Sequence, residues 1–376
     1  MKKLMRALPL LALSIVLLVV LAGCGGGAKQ TTTQNTGSGI PEKDKDYVIN
    51  LGYYNCDHMT AACIAKDTGI FTELGLNVNV TGNGKVPEAM AAGQMDAGYI
   101  GNSGLMRAFL KGSPIMVAAS NHIGGSRYLV VSNDIKDPKD LIGKKLAIGT
   151  NPEKNDGDWI QWAKELGIPV EGKNYEVFDM ADKDEYVALK AGKVDAYAAC
   201  DPWGSYAEYE KTGQILRAHV ELPNGEFGQC CVLSMSNTFI AEHPELARLM
   251  ITAHSKAIQH IYTKPVRSAE IFADNYKVPL EVALMTIYKK TVDEGRTLNW
   301  TINQKNFENQ INYEISEKVL DAAPPFNEFV NTKLIEESKV DNFDQFIKEK
   351  VDPVFPLGMS YEDWKAKAYE LEGKKA

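Results

Sequence analysis

Six cysteines stand in this chain of 376 residues, at positions 24, 56, 63, 200, 230 and 231. Cys56 has Tyr54, Asp57, His58 and Met59 beside it, and Met235 follows the vicinal pair Cys230–Cys231. Thiolates with imidazole and thioether nearby are soft ligands, suited to Cu(I), Zn(II) or thiophilic species such as mercury or arsenite. No C-x-x-C spacing occurs, so a structural zinc knuckle is not indicated. The vicinal pair could instead close as a strained disulfide that acts as a redox lock. Cys63 lies inside an Ala-rich run and reads as a small buried residue. The duller alternative makes all five cysteines after Cys24 structural, with an odd count that leaves at least one unpaired.

These residues need elements to bring them together. Ile49, Leu51 and Tyr53 alternate with Asn50, Gly52 and Tyr54, the pattern of a half-buried strand. Met59 to Thr68 reads as a helix stopped by Gly69. Strands are expected at 77–81, 97–100, 115–119 and 128–132, with Pro87 opening a helix and Ser103 capping another. A second series follows Asp137: strands at 146–149, 176–178 and 196–199, a helix at 159–166 closed by Gly167, and another at 185–191. Asp201 reads as an N-cap and Pro202 as a first helical residue. From Pro244 to about Leu320 the pattern is long amphipathic helices, and the charged tail after Val340 is helical too. Strands alternating with helices predict an α/β fold.

The amino terminus predicts the compartment. Lys2, Lys3 and Arg6 precede an apolar run from Ala7 to Leu21, the order of a secretory signal, too short for a spanning helix of about 20 residues. Leu21-Ala22-Gly23-Cys24 matches the small-residue site at which bacterial lipoprotein signals are cut, which makes Cys24 the lipidated residue. Residues 1–23 are then the signal peptide, and 24–46 a flexible tether rich in Gly, Thr, Gln and Ser. The expected location is the outer face of the cytoplasmic membrane.

Several short motifs come in a telling order: Leu51-Gly52-Tyr53, Gly69-Ile70-Phe71, Gly75-Leu76, Asp96-Ala97-Gly98, Gly143-Lys144-Lys145-Leu146, Ala191-Gly192-Lys193-Val194-Asp195-Ala196, Asp201-Pro202-Trp203 and His243-Pro244-Glu245. The series, over residues 47 to 262, resembles the solute-binding proteins of the nitrate/sulfonate/taurine type that serve ABC importers. The resemblance implies a two-lobed type II periplasmic-binding-protein fold with a helical C-terminal part. Lobe one would take 47–133 and 234–340, lobe two 134–233, and 341–376 would be a C-terminal helical extension. The crossings would fall near Val131 and Leu233. Such proteins trap a small solute by hinge closure and hand it to a permease driven by an ATPase.

In α/β folds ligands sit outside the carboxyl ends of strands. On the implied topology this selects Tyr54, Asn55, Cys56, His58, Asn102, Ser103, Asn121, His122, Thr150, Cys200, Asp201, Cys230 and Cys231 as ligand-binding residues. Within that set, Cys56, Cys200, Cys230 and Cys231 are the candidate metal ligands. The family ligand class would be a sulfonate or a nitrate-like anion; yet only Arg107 and Arg127 occur between residues 47 and 200, which disfavours a multi-Arg anion site. A soft metal is expected only as the bound solute, with no resident cofactor.

The formal charge of −8 becomes −11 once the three cations Lys2, Lys3 and Arg6 leave with the leader. That surplus of carboxylates argues against nucleic acid, whose phosphates need clustered Lys and Arg. With 44% hydrophobic and 24% charged residues the chain is ordinary globular material, expected as a monomer. No G-x-S-x-G, H-E-x-x-H or P-loop pattern appears, and the expectation is a binding protein, not an enzyme. Two alternatives share the fold: an enzyme similar to thiamine-pyrimidine synthases, which use a reactive His near cysteines, and a ligand sensor without a transport role.

Overall fold

Ile49, Leu51 and Tyr53 point into apolar packing as their spacing predicts, but Gly52 is buried too. A Cβ at Gly52 would lie 2.3 Å from Met95 Sδ, so the absent side chain lets a helix-bearing layer approach the second face of the strand. Strands covered on both faces belong to parallel sheets. The computed structural model describes Gly39 to Lys375 except Asn55, Asn83 and Ser126. The expected signal peptide, the expected lipidation site Cys24 and the expected tether up to residue 38 lie outside the described residues, as does Asn55. Among the described residues no helix is long and apolar enough to cross a membrane.

Among the described residues ten strands form two five-stranded sheets. The first contains β1 (Val48–Tyr53), β2 (Asn77–Gly82), β3 (Ala97–Gly101), β4 (Ile115–Ile123) and β10 (Gln229–Ser236) in the order β2-β1-β3-β10-β4. The second contains β5 (Arg127–Ser132), β6 (Lys145–Ala147), β7 (Glu176–Phe178), β8 (Ala196–Cys200) and β9 (Gly213–His219) in the order β7-β6-β8-β5-β9. In each sheet four strands run the same way, and the strand arriving from the other sheet is antiparallel to both its neighbours. The α/β two-sheet architecture is the one the sequence predicts.

The crossings fall elsewhere. Tyr128–Ser132 pairs with β8 and β9, so it belongs to the second sheet, and the first crossing falls after Ile123 and before Arg127 instead of near Val131. Cys231 pairs with Gly101 and Leu233 with Tyr99, so the return crossing ends before β10 and not near Leu233. A β-rich run announces a strand; which sheet it joins is decided by partners distant in sequence. The two crossings run side by side: the Gly124 amide donates to Gly228 O at 2.8 Å, and that of Gly125 to Val220 O at 3.1 Å. A Cβ at Gly124 would meet Val220 O at 2.5 Å and one at Gly125 would meet His219 O at 2.3 Å, so this close pairing demands glycine.

Around the first sheet the 20-residue helix Pro244–Thr263 packs on the helix Thr60–Asp67. The C-terminal extension is structural: Phe343, Phe355 and Trp364 are buried, and Trp300 meets Phe343 edge to face at 4.9 Å between ring centres. In the second sheet, Asp156 caps the helix Gly157–Leu166 through the Trp159 amide, and Gly167 ends it in the left-handed region. These elements leave two adjoining cavities beside the carboxyl ends of β1, β6, β7 and β8 and the start of β10.

Candidate functional site

The chain leaves β1 through Tyr54, reaches Cys56, and makes a short turn over Asp57–Met59 before the helix Thr60–Asp67. Two anchors hold this turn: the Asp57 amide donates to Asp201 O at 2.9 Å, and Tyr276 Oη donates to Cys56 O at 2.8 Å. From the second sheet, β8 delivers Cys200 at its last position. The return crossing delivers Cys230 and Cys231 at the start of β10, where Gln229 Nε2 donates to His122 O at 3.0 Å and Cys231 O at 2.8 Å.

The ligand atoms of Cys56, Asp57, His58 and Cys200 lie within 4.8 Å of one another, and so do those of His58, Cys230 and Cys231. His58 is shared by both groups and is 3% exposed. Its Nδ1 lies 3.2 Å from Cys231 Sγ and 3.7 Å from Cys230 Sγ, and its Nε2 is 3.4 Å from Asp57 Oδ1. The two vicinal sulfurs are 3.4 Å apart. Ligands about 2.3 Å from one tetrahedral ion are separated by about 3.8 Å, so these donors are already near metal-binding spacing.

The electrostatics divide the thiols. The Cys200 hydrogen bond, opposed by burial and aided by His58, draws the Cys56 thiol down to about 6. The Cys231 hydrogen bond and His58 hold Cys230 well below the ordinary thiol range, and their partners Cys200 and Cys231 are raised well above it as donors. Burial opposes a charge on His58, but Asp57 and the Cys230 and Cys56 thiolates together raise its imidazole well above its usual value. His122 stacks on His58 at 4.2 Å and 13° between planes. Burial, with the His58 charge, depresses His122 to about 3, and among the described residues neither of its ring nitrogens has a hydrogen-bond partner of ordinary geometry. The result is a buried, thiolate-rich pocket with a neutral imidazole behind it.

A cavity of about 250 Å³ is lined by Tyr54, Cys56, His58, Asn102, Ser103, Cys200, Cys230 and Cys231 of the expected set, joined by Asp158, His219 and Gln310 among others. Asn121 and His122 lie behind the wall, where Asn121 Nδ2 donates to the His58 carbonyl. Two residues are placed differently from expectation. Asp201 lines neither cavity: it is fully buried, and its carboxylate accepts from the Ser205 amide and hydroxyl and from Thr286 Oγ1, so it braces the start of the next helix. It is not the N-cap either: Pro202, expected as the first helical residue, takes that position, and Asp201 accepts from the third amide of the helix Trp203–Tyr209 from one residue further back. Thr150 is exposed and lines the neighbouring cavity instead. Cys63 is fully buried in its helix and apart from the cluster, with burial pushing its thiol up to about 11. Iodoacetamide at pH 7 should therefore label Cys230 first and Cys63 last, which peptide mass mapping over time would check. Equal labelling would contradict the thiolate assignment.

The neighbouring cavity, about 470 Å³, was not visible in the sequence. Six carboxylates line it, from Asp156, Asp158, Asp179, Asp182, Glu185 and Glu314, against the guanidinium groups of Arg107 and Arg127. Arg127 is already committed to Asp156 at 2.5 Å and Asp158 at 3.6 Å, and His219 pairs with Asp158. Applying the strand-end rule to β6 and β7 would have nominated Asp156, Asp158, Asp179 and Asp182. Burial and then Asp182 push the Glu185 carboxyl up to about 9, so at neutral pH the folded chain holds a proton there that the unfolded chain releases. Stability from this residue is thus lost as pH rises from about 4.5 towards 9. Glu185→Gln should raise the unfolding midpoint at pH 8 and flatten its decline between pH 6 and 8; an unchanged pH profile would contradict the buried-acid reading.

Comparison with known proteins gives the lineage. Residues 42–273 match the model of the NMT1-like family. No protein of curated function matches the sequence significantly. Among solved structures, the ligand-binding component of an ABC-type import system from Staphylococcus aureus, with zinc bound, is 16% identical at a TM-score of 0.63, over 78% of this chain and 99% of that one. The alkanesulfonate-binding protein SsuA from Xanthomonas axonopodis pv. citri, bound to MOPS, is 15% identical at a TM-score of 0.60, over 77% and 97%. The desulfurization enzyme DSZB is 14% identical at a TM-score of 0.60, over 77% and 98%. At these identities the likeness establishes the fold, which serves binding proteins and an enzyme alike.

Proposed function

Since this chain belongs to the NMT1-like family, we propose that it captures a small solute for an ABC importer and that the solute is a thiophilic cation. In this reading the protein is a monomer tethered by lipid on Cys24 to the outer face of the cytoplasmic membrane. It closes its two lobes over the solute and docks on a permease coupled to an ATPase. The lobes are residues 47–123 with the later helices and β10, and the segment between the crossings.

The observation that carries the reading is the meeting of Cys56, Cys200, Cys230 and Cys231 around His58, from both sheets at once. A soft ion held by sulfurs from both sheets would tie the lobes together, which is how binding could drive closure. Cys200 and Cys231 would give up protons on binding, so affinity should rise with pH. The acidic excess next door argues against a sulfonate or nitrate, because even with Glu185 protonated and Arg107 and Arg127 in the lining the acidic side chains outnumber the guanidinium groups.

Thermal shifts of the mature chain under anaerobic conditions test this, with a panel of small anions and sulfonates against buffered Cd²⁺, Zn²⁺, Cu⁺ and arsenite. A ligand at 100 times its Kd should stabilise by about 2.7 kcal/mol, less where it also binds unfolded thiols. Stabilisation by an anion alone would make the cysteines structural. A second reading, an enzyme similar to thiamine-pyrimidine synthases, draws on the thiolate–imidazolium pair of Cys230 and His58. Reversible release of the bound ion by a chelator, with no change in the mass of the His58 peptide, separates binding from chemistry.

A further inference from the structure

We propose that the carboxylate-lined cavity is a second subsite, which takes the ammonium group of an organic solute or co-ligand entering the same cleft. The proposal rests on the reading of this cleft as the place where solute is received.

Acidic residues on a surface are ordinary, but two here are buried and incompletely bonded. Glu185, in the helix Asp182–Lys190, is 4% exposed, and its Oε2 has no hydrogen-bond partner among the described residues. Glu314, in the helix Gln304–Ser316 that packs on β10, is 2% exposed; its Oε1 accepts from Ser103 Oγ and from Gln310 Nε2 at 2.8 Å, while Oε2 has no partner. Both line the cavity, one from each lobe. A buried acid oxygen without a partner is costly; an ammonium group entering beside Glu185 would exchange for the proton held there, which leaves to solvent, and donate a charge-assisted hydrogen bond to the resulting carboxylate.

Size and spacing decide what kind of cation fits. About 470 Å³ is room for an organic group, far more than a bare ion fills. Among the described residues no three of these carboxylates converge closely enough to hold one metal ion, whereas the thiol groups next door do converge. Spread carboxylates with hydroxyl and amide neighbours suit the several donors of an ammonium or amidinium group. The two cavities share Ser103, Arg127, Asp158 and Gln310 as lining, so one molecule can reach both. A soft metal bound to an amine-bearing organic ligand, with the metal on the sulfurs and the ammonium among the carboxylates, would occupy the whole cleft.

The test is calorimetry of the mature chain at physiological ionic strength with 1,5-diaminopentane, and with 1,5-pentanediol as its neutral match. Binding of Cd²⁺, followed through thiolate-to-metal absorption, is measured in parallel as a separate report on the sulfurs. Saturable binding of one diamine and none of the diol is expected. Glu185→Gln and Asp179→Asn should each weaken it at least about fivefold, with the Cd²⁺ titration unchanged. Cd²⁺ binding without diamine binding would overturn the subsite and leave the thiol site standing. Diamine binding of equal strength in both variants would also overturn it, as diffuse attraction to an acidic surface. Diamine binding without Cd²⁺ binding would support the subsite while removing the metal from the reading.

Discussion

Cys230→Ser should weaken Cd²⁺ binding by at least about 100-fold, whereas Cys63→Ser should leave it unchanged. Loss of outer partners of metal ligands commonly costs 10- to 100-fold, so loss of a direct thiolate belongs at or beyond the top of that range. Cys230 is the stronger choice of the vicinal pair because its sulfur is held as the thiolate by Cys231 and His58. Cys63 is the matched control, equally a cysteine and fully buried, but in the helix Thr60–Asp67 beside Tyr53 and away from the cluster. Titration by thiolate-to-metal absorption gives both affinities directly. Equal affinities for wild type and Cys230→Ser would remove Cys230 from the ligand set.

Lys290→Met should destabilise the chain by about 3–5 kcal/mol, the range for breaking one partner of a buried ion pair. Lys290 is 1% exposed and follows the helix Leu280–Tyr288 in a π-helical turn. Its ammonium group lies 3.4 Å from Asp57 Oδ2, pairs with Glu294, and donates to Tyr128 Oη at 3.1 Å. Asp57 belongs to the turn that carries Cys56 and His58, and Tyr128 belongs to β5 of the other sheet, so one cation braces the floor of the site from both lobes. Even with Lys290 present, burial holds Asp57 up to about 7. Removing the lysine leaves two buried acids to be protonated or desolvated, and urea melts at pH 7.5 should show the loss. Lys305→Met, which breaks only an exposed pair with Glu226, should shift stability by less than about 1 kcal/mol. Similar losses in the two variants would contradict the bracing role.

The thiol cluster was readable in the sequence because three general features pointed to the same end of the fold. Cys56 follows a strand with clear alternation, Cys200 ends an apolar strand, and Cys230 and Cys231 open the strand that follows the return between sheets. The strand-end rule then needs no contact information. Asp201 misled for a local reason: a short acid before proline looks like a cap, but here the carboxylate reaches Ser205 and Thr286 instead of solvent. The crossings were displaced because β5 and β10 are defined by their partners, which lie about 70 to 130 residues away in sequence. The acidic cavity stayed hidden because the strand-end rule was not carried past Thr150 to the acids after β6 and β7, and because nothing local marks which of the 49 acidic residues reach the cleft from helices. Glu314 shows the difficulty best, since it reaches the cleft from a helix far along the chain and meets Ser103 there.

The most direct test of a thiophilic solute site is the X-ray absorption spectrum of the mature chain loaded anaerobically with one equivalent of Zn²⁺. The account predicts a first shell with at least two sulfur neighbours at about 2.3 Å and a nitrogen at about 2.0–2.1 Å. A shell of oxygen and nitrogen alone, with no sulfur scattering, would contradict it.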